Sequence, residues 1–448
     1  MTDVALRMRT VSRPQFWPLW LALGIICVAL WLHPGPFQWA VEYPRAMVLP
    51  ITKWLGAAVK WMVDNFRPFT RALASLLDVP LSTSFALLAK GFVVNNQVLF
   101  PRLSWLGIIG VFVIAGHWAG GRRVAVISGI CFLYIAVFRQ WDSAMLTLAL
   151  VVICIPLGVM FGTLFGILAY RFKSFDAWFI RPSLDLAQTV PAFAYLVPIL
   201  LMFGSGPVPG LVATVIFASP PMVRATKLAL ELVPEETRSF ADMAGCTRRQ
   251  KLWRVMIPAA RPLLMVGLNQ VIMMTLNMVI IASMIGAGGL GFDVLLALRA
   301  LKIGVGFEAG LAIVAIAIAL DRISAAAAVR RPPKIPPPGT GFLRRHPYLS
   351  LAVGWLAVTT LASLGMPWLT DIPKSWTFTT APFWDSLVAT ININFHDVIE
   401  AVKFWLLLNV LNPFRNFLLA LPWFVFVAAA VLLGFQLGGR RLAPLVGM

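Results

Sequence analysis

The residues best placed to act on another molecule lie between 233 and 262, in V-P-E-E-T-R-S-F-A-D-M-A-G-C-T-R-R-Q-K-L-W-R-V-M-I-P-A-A-R-P. Arg248, Arg249, Lys251 and Arg254 crowd into seven positions. Such cations suit an acidic protein surface or lipid phosphates, through charge-assisted hydrogen bonds. Ala241, Ala244 and Gly245 just before them are small, so a second surface can come close to the backbone. A short helix is expected after Pro234, because proline suits the first turn. Pro258, following the apolar Ile257, is expected to stop the helix that ends the loop. The chemistry implied is recognition, and no catalytic group is assigned.

Other motifs narrow the field by what they lack. Gly286-Ala287-Gly288-Gly289-Leu290-Gly291 has the letters of a dinucleotide fingerprint, but no strand precedes it, so it reads as a turn leaving an apolar span. Cys27, Cys131, Cys154 and Cys246 have no metal-ligand spacing, and no metal site is assigned. No acid falls clearly within the middle of an apolar run, which argues against an ion-coupled carrier. No G-x-x-x-x-G-K-[ST] loop occurs anywhere.

Positioning these residues requires a membrane. The chain is 60% hydrophobic and only 12% charged, too apolar for a soluble core. Apolar runs long enough to cross as helices lie near 16–33, 104–119, 124–138, 144–170, 186–203, 208–230, 262–285, 305–325, 348–366 and 417–437. The fold class is therefore an all-α polytopic membrane protein of about ten transmembrane helices. With the 233–262 loop cytoplasmic, alternation puts 24 of the 37 Lys and Arg inside and 13 outside, while the 18 acids divide 8 inside and 10 outside. That bias obeys the positive-inside rule. The net charge of +19 is thus a topology signal, and no nucleic-acid partner is expected. Both termini are expected in the cytoplasm. The N-terminal basic and apolar stretch lacks an A-x-A-like site and reads as an uncleaved first span.

Four regions follow. Residues 1–123 carry the first spans and an external segment, 34–103, whose Trp39, Trp54 and Trp61 among cations suggest an amphipathic helix on the outer membrane face. Residues 124–328 form the core around the loop. Residues 329–345 (V-R-R-P-P-K-I-P-P-P-G-T-G-F-L-R-R) are a proline-rich basic spacer. Residues 346–448 look like a partial repeat of the first region: Trp105 and Gly120-Gly121-Arg122-Arg123 match Trp423 and Gly438-Gly439-Arg440-Arg441, and Asn65-Phe66 matches Asn394-Phe395. This reads as half of a duplicated membrane protein or a truncated one, or as a scaffold segment.

Between Ser143 and Arg322 the chain resembles the permease subunit of glycine betaine/proline-type (quaternary-amine) ABC importers, a Type I ABC permease. The carriers are Leu184-Asp185, Gln188-Thr189, Pro191-Ala192-Phe193, Tyr195-Leu196-Val197-Pro198-Ile199, Phe203-Gly204, Pro220-Pro221, Asn269-Gln270 and Gly288-Gly289-Leu290-Gly291. The loop matches the family's E-A-A…Gly…Ile-x-Leu-Pro pattern at Ala241, Gly245, Ile257 and Pro258, with Ser239 where the family has glutamate. The resemblance implies that Ser239, Ala241, Ala244, Gly245, Arg248, Arg249, Ile257 and Pro258 couple to a cytoplasmic ATPase dimer. It also implies an external substrate-binding protein and a second permease core, by homo- or hetero-oligomerisation. ATP and Mg would sit on the ATPase, and this chain would bind no cofactor. Candidate path residues are Gln188, Thr189, Pro191, Phe193, Tyr195 and Pro198, where prolines free backbone groups. Asn269, Met273 and Asn277 join them, four apart and expected on one helix face. The expected cargo is glycine betaine, proline, choline or carnitine, crossing the cell inner membrane. The alternative, an ion-coupled secondary transporter or channel, would survive ATP depletion and fail with the ion gradient.

Overall fold

The computed structural model describes residues 17–32, 43, 48–94, 97–330 and 346–447. The described residues are predominantly helical, as the all-α class requires, with one short hairpin, β1 (Phe92–Val94) antiparallel to β2 (Gln97–Phe100). The helices are α1 (Trp17–Leu32), α2 (Ile51–Phe85), α3 (Trp105–Val137), α4 (Trp141–Arg171), α5 (Arg181–Thr189), α6 (Ala192–Phe203), α7 (Pro207–Glu231) and α8 (Glu235–Met243). There follow α9 (Ile257–Ala282), α10 (Leu290–Arg299), α11 (Ile303–Val329), α12 (Pro347–Gly365), α13 (Ala381–Asn394), α14 (His396–Leu406), α15 (Asn412–Ala420) and α16 (Trp423–Gly447). They form two compact units, Met1–Ala57 with Thr390–Met448, and Ala58–Ala389.

Among the described residues, seven helices are long and apolar enough to cross a membrane, or up to nine if each of two bent pairs is one span. One of the seven, Trp105–Val137, is itself two crossings. The rings of Phe112 and Phe132 stack 4.1 Å apart, whereas twenty residues of straight helix would separate them by about 30 Å. Gly121, at φ +73°, reverses the chain next to Gly120, so 105–119 and 122–137 run antiparallel, as their separate apolar runs imply.

Two expectations change. Residues 51–90, inside the segment assigned to the membrane surface, form one helix long and apolar enough to be a candidate span. Leu81, Ser84 and Phe85 are buried against α4, and the Ser84 hydroxyl donates to the Ala149 carbonyl at 3.0 Å. Residues 34–42, 44–47 and 331–345 lie outside the described residues. The proposed repeat also diverges: α16 continues through Gly438-Gly439, where α3 turns back. The α3 turn is held by packing of 122–137 on 105–119, which matching letters alone do not encode.

The larger unit is built on α4, α7 and α9. Gly158, Gly162 and Gly166, each four residues apart, put a bare backbone stripe of α4 against its neighbours. A Cβ on Gly162 would lie 2.5 Å from Met222 Cβ, and one on Gly166 2.5 Å from Thr226 Cβ. A Cβ on Gly267 of α9 would lie 2.8 Å from both Ala225 Cβ and Met222 Sδ. Membrane helices associate by such close approach, because lipid offers no hydrophobic drive between them.

At the end of the bundle opposite the 233–262 loop, the segment 366–385 straps several elements together. The Trp105 indole donates to the Trp368 carbonyl at 3.1 Å, and Phe378 N–H to Val137 O at 3.1 Å. The Arg102 guanidinium bridges Asp142 and, at 2.6 Å, Asp371. Desolvation alone would lower the Arg102 pKa, but the two carboxylates outweigh it and the net shift is upward. Glu308, buried two turns into α11, accepts from the Thr379 hydroxyl (3.0 Å), the Thr380 hydroxyl (2.8 Å) and the Thr380 N–H. This acid sits near a helix end and is satisfied by fixed donors. At the loop end, Arg330 lies 4.7 Å over the Trp118 ring and 5.8 Å from that of Tyr348, tying α11 and α12 to α3.

The smaller unit packs α1 against α16, with Tyr43 edge-on to Trp423 at 5.1 Å. Residues 396–420 and 423–437 form its bent pair, at 91°.

Candidate functional site

The loop is an elbow made of two local stop-and-start signals. Pro234 precedes α8, as its fixed φ favours. The helix ends in a Schellman motif: Cys246 N–H reaches Ala241 O at 3.1 Å and Gly245 N–H reaches Asp242 O at 3.0 Å. That geometry demands a left-handed residue, and Gly245 supplies φ +69°. The next helix starts at once with a capping box, which the sequence reading overlooked in T-R-R-Q. Thr247 Oγ1 accepts from Gln250 N–H at 3.3 Å, and Gln250 Oε1 accepts from Thr247 N–H at 2.9 Å. Four residues, Ala244 to Thr247, thus separate the two helices.

Pro258 does not stop this helix. It follows a wider stretch, Lys251–Met256, in which Ile257 N–H reaches back five residues to Leu252 O, and helix continues from Arg248 to Ala287. The wider turn absorbs the missing proline N–H and its ring, as bulges of this kind do.

The elbow is anchored from one side. Ala241 is buried, Arg238 donates to the Leu230 and Glu231 carbonyls at 2.7 and 2.9 Å, and Lys251 pairs with Asp242 at 2.6 Å. Phe240 and Met243 are left 67% and 81% exposed, with Ser239, Ala244 and Gly245 also on the surface. The four cations divide. Arg249 and Arg254 line a cavity of about 470 Å³ with Trp253 and Thr247. Arg248 and Lys251 face another of about 610 Å³, towards the end of α4.

Beside the elbow, Asp176 is buried between Arg181 (2.8 Å) and Lys227 (2.7 Å) in the segment joining α4 to α5, ahead of the apolar run 186–203. Desolvation pushes its carboxyl pKa up, but the two cations outweigh this and hold it below the ordinary range. Arg224 pairs with Asp185 at 2.7 Å nearby.

The path candidates are only partly brought together. The arms Lys173–Thr189 and Ala192–Phe203 meet at 107°. Pro191 sits at that corner, with Val190 extended, as a residue before proline must be. Gln188, Thr189, Pro191 and Phe193 are exposed there. Tyr195 instead packs among Leu196, Ile199, Ala213 and Met278, and its buried hydroxyl has no partner among the described residues. Pro198 is half-buried in the same helix. On α9 the expected single face splits. Met273 and Asn277 are exposed, with Val266 and Gln270 on the same stripe, while Asn269 turns aside and accepts from the Ser324 hydroxyl of α11 at 2.6 Å. A four-residue step overshoots a 3.6-residue turn by about 40°, so Asn269 and Asn277 point about 80° apart.

This arrangement of a polar elbow carried by α7 and α9 has relatives. The model of the family described as binding-protein-dependent transport system inner membrane component matches residues 158–330, which contain the elbow, α5 to α11 and the glycine stripe from Gly158 onward. A glycine betaine/proline betaine transport system permease protein of Escherichia coli is 37% identical over 279 residues, 62% of this chain and 75% of that protein. A glycine betaine transport system permease protein of Bacillus subtilis is 37% identical over 278 residues, 62% of this chain and 93% of that protein. The chain belongs to this family of ABC importer permeases. It is thereby a multi-pass inner-membrane permease component. The trimethylamine N-oxide transport system permease protein of Ruegeria pomeroyi is 36% identical over 432 residues, 94% of this chain. The permease spans 64% of that relative's length, and 50% of its Pelagibacter ubique counterpart.

Proposed function

We propose that the chain is the transport subunit of an ATP-driven importer for small methylated-amine solutes. The carrying observation is the elbow: a rigid helix–glycine–helix turn that leaves Phe240 and Met243 exposed beyond the spans, inside the family-matched region. Exposed apolar groups on an otherwise charged loop suit a protein groove. The partner is a cytoplasmic ATPase dimer, which binds ATP and Mg, and the positive-inside bias supports a cytoplasmic elbow. An external substrate-binding protein delivers cargo at the opposite end. Partner binding biases a two-state equilibrium between access from either side, and the permease itself breaks no bond.

The relatives named for glycine betaine and for trimethylamine N-oxide support the cargo class. Both compounds join a methylated nitrogen to a compact anionic oxygen. A second permease core completes the path. Amides in lipid are costly, so the stripe bearing Gln270 and Asn277 faces that core or the path.

The test is affinity purification of the tagged chain in mild detergent with partners identified by mass spectrometry, followed by uptake of labelled betaine and trimethylamine N-oxide into vesicles. An ATPase subunit and ATP-dependent uptake are expected. A chain that purifies alone, with uptake tracking an ion gradient, would overturn the reading.

A further inference from the structure

The cavity of about 610 Å³ facing Arg248 lies between the last turn of α4 and the elbow. Five cations ring it: Arg171, Lys173, Arg238, Arg248 and Lys251. Two are spoken for, Arg238 by backbone carbonyls and Lys251 by Asp242. Arg171, Lys173 and Arg248 have no carboxylate within reach among the described residues, and the one acid in the lining, Glu231, is 3.9 Å from Lys227. The floor is apolar: Ile167, Leu252 and buried Met256 belong to the small cluster under α7 and α9. A basic ring over an apolar floor at the end of a span matches an amphiphile better than a soluble anion.

A second observation sets the depth. The chain leaving α4 carries Phe172, Phe175, Trp178 and Phe179, exposed by 51%, 40%, 88% and 55%. The Phe175 and Phe179 rings stack 5.1 Å apart. Exposed aromatics at a span end mark the headgroup level of a bilayer, and this row begins at the residue after Arg171.

We propose that this cavity binds the phosphate headgroup of an anionic lipid. Arg171, Lys173 and Arg248 hold the phosphate, and the acyl chains run along the floor and past the aromatic row. The loop's cations then serve two surfaces: Arg248 turns to lipid, Lys251 stays paired with Asp242, and Arg249 and Arg254 beside Trp253 remain for a protein partner. The inference does not depend on which solute is carried or on the ATPase, since it needs only the bilayer.

The test uses the purified full chain in nanodiscs of phosphatidylcholine with a minor fraction of phosphatidylglycerol, then native mass spectrometry of the lipids retained. The wild type is expected to keep phosphatidylglycerol selectively. The triple variant Arg171→Gln, Lys173→Gln, Arg248→Gln is expected to bind it on the order of 100-fold more weakly. Arg171→Lys with Arg248→Lys should retain binding, which separates lost charge from lost fold. A triple variant removing Arg122, Arg123 and Arg261 at the same end should bind normally. Equal loss in that control would make the effect a general surface charge and overturn the site. Displacement of the lipid by millimolar inorganic phosphate would assign the cavity to a soluble anion, and that also overturns it.

Discussion

Replacing Gly245 separates two roles that one glycine combines. The Schellman turn holds it at φ +69°, yet a Cβ placed there would meet nothing within 4 Å. Within the folded chain, an L-residue there therefore incurs the left-handed strain, about 1–2 kcal/mol, and its Cβ meets no clash. Gly245→Ala and Gly245→Trp should destabilise the elbow by the same amount, and Gly245→Asn by less, because asparagine tolerates this region. Hydrogen exchange of the Cys246 and Gly245 amides reads that term directly. Any further loss in the Trp variant must come from outside the chain. Under the proposed function it appears as weakened ATPase-subunit affinity, or as ATP hydrolysis without matching uptake, in reconstituted vesicles. Equal coupling in the Ala and Trp variants would refute the claim that a partner approaches this backbone closely. Unequal amide protection in the two would refute the strain reasoning.

Three more outcomes are expected. Glu308→Ala strands the Thr379 and Thr380 donors and should cost about 2–4 kcal/mol, seen as a lower thermal midpoint and faster proteolysis within 377–385; unchanged cleavage would show that the strap is not held there. Gly162→Ala forces Met222 aside and should cost about 1–3 kcal/mol, with Gly162→Leu lost from the membrane in a fluorescence-detected chromatography assay; normal yield of the Leu variant would contradict the close α4–α7 contact. Asp176→Asn removes a buried charge partner at a cost on the order of 3 kcal/mol. Because the folded Asp176 pKa is depressed, its contribution is present above the unfolded carboxylate pKa and fades as pH falls through the folded value. The gap between wild type and variant unfolding midpoints should therefore close only in strong acid; a gap independent of pH would sink the ion-cluster account.

Much of the elbow was legible in linear order. Proline before α8 and glycine after it act on the residues beside them, so local chemistry suffices. The capping box at Thr247 and Gln250 was equally readable, as was the spacing of Gly158, Gly162 and Gly166. Pro258 was misjudged because proline's tendency to end helices is a local preference, and a continuous span with one widened turn overrides it. The common face of Asn269, Met273 and Asn277 failed through the drift of four-residue steps around the helix.

The sequence by itself determined the membrane class, the apolar runs, the charge bias and the family, since each depends on composition or on neighbours in the chain. Only the tertiary structure decided that 51–90 forms one long helix packed on α4, that 366–385 straps the far end through Arg102 and Glu308, and that the loop's four cations face two different cavities. Those features join residues as many as 269 positions apart. Which side chains meet across such a distance is fixed by helix packing, and no spacing along the chain records it.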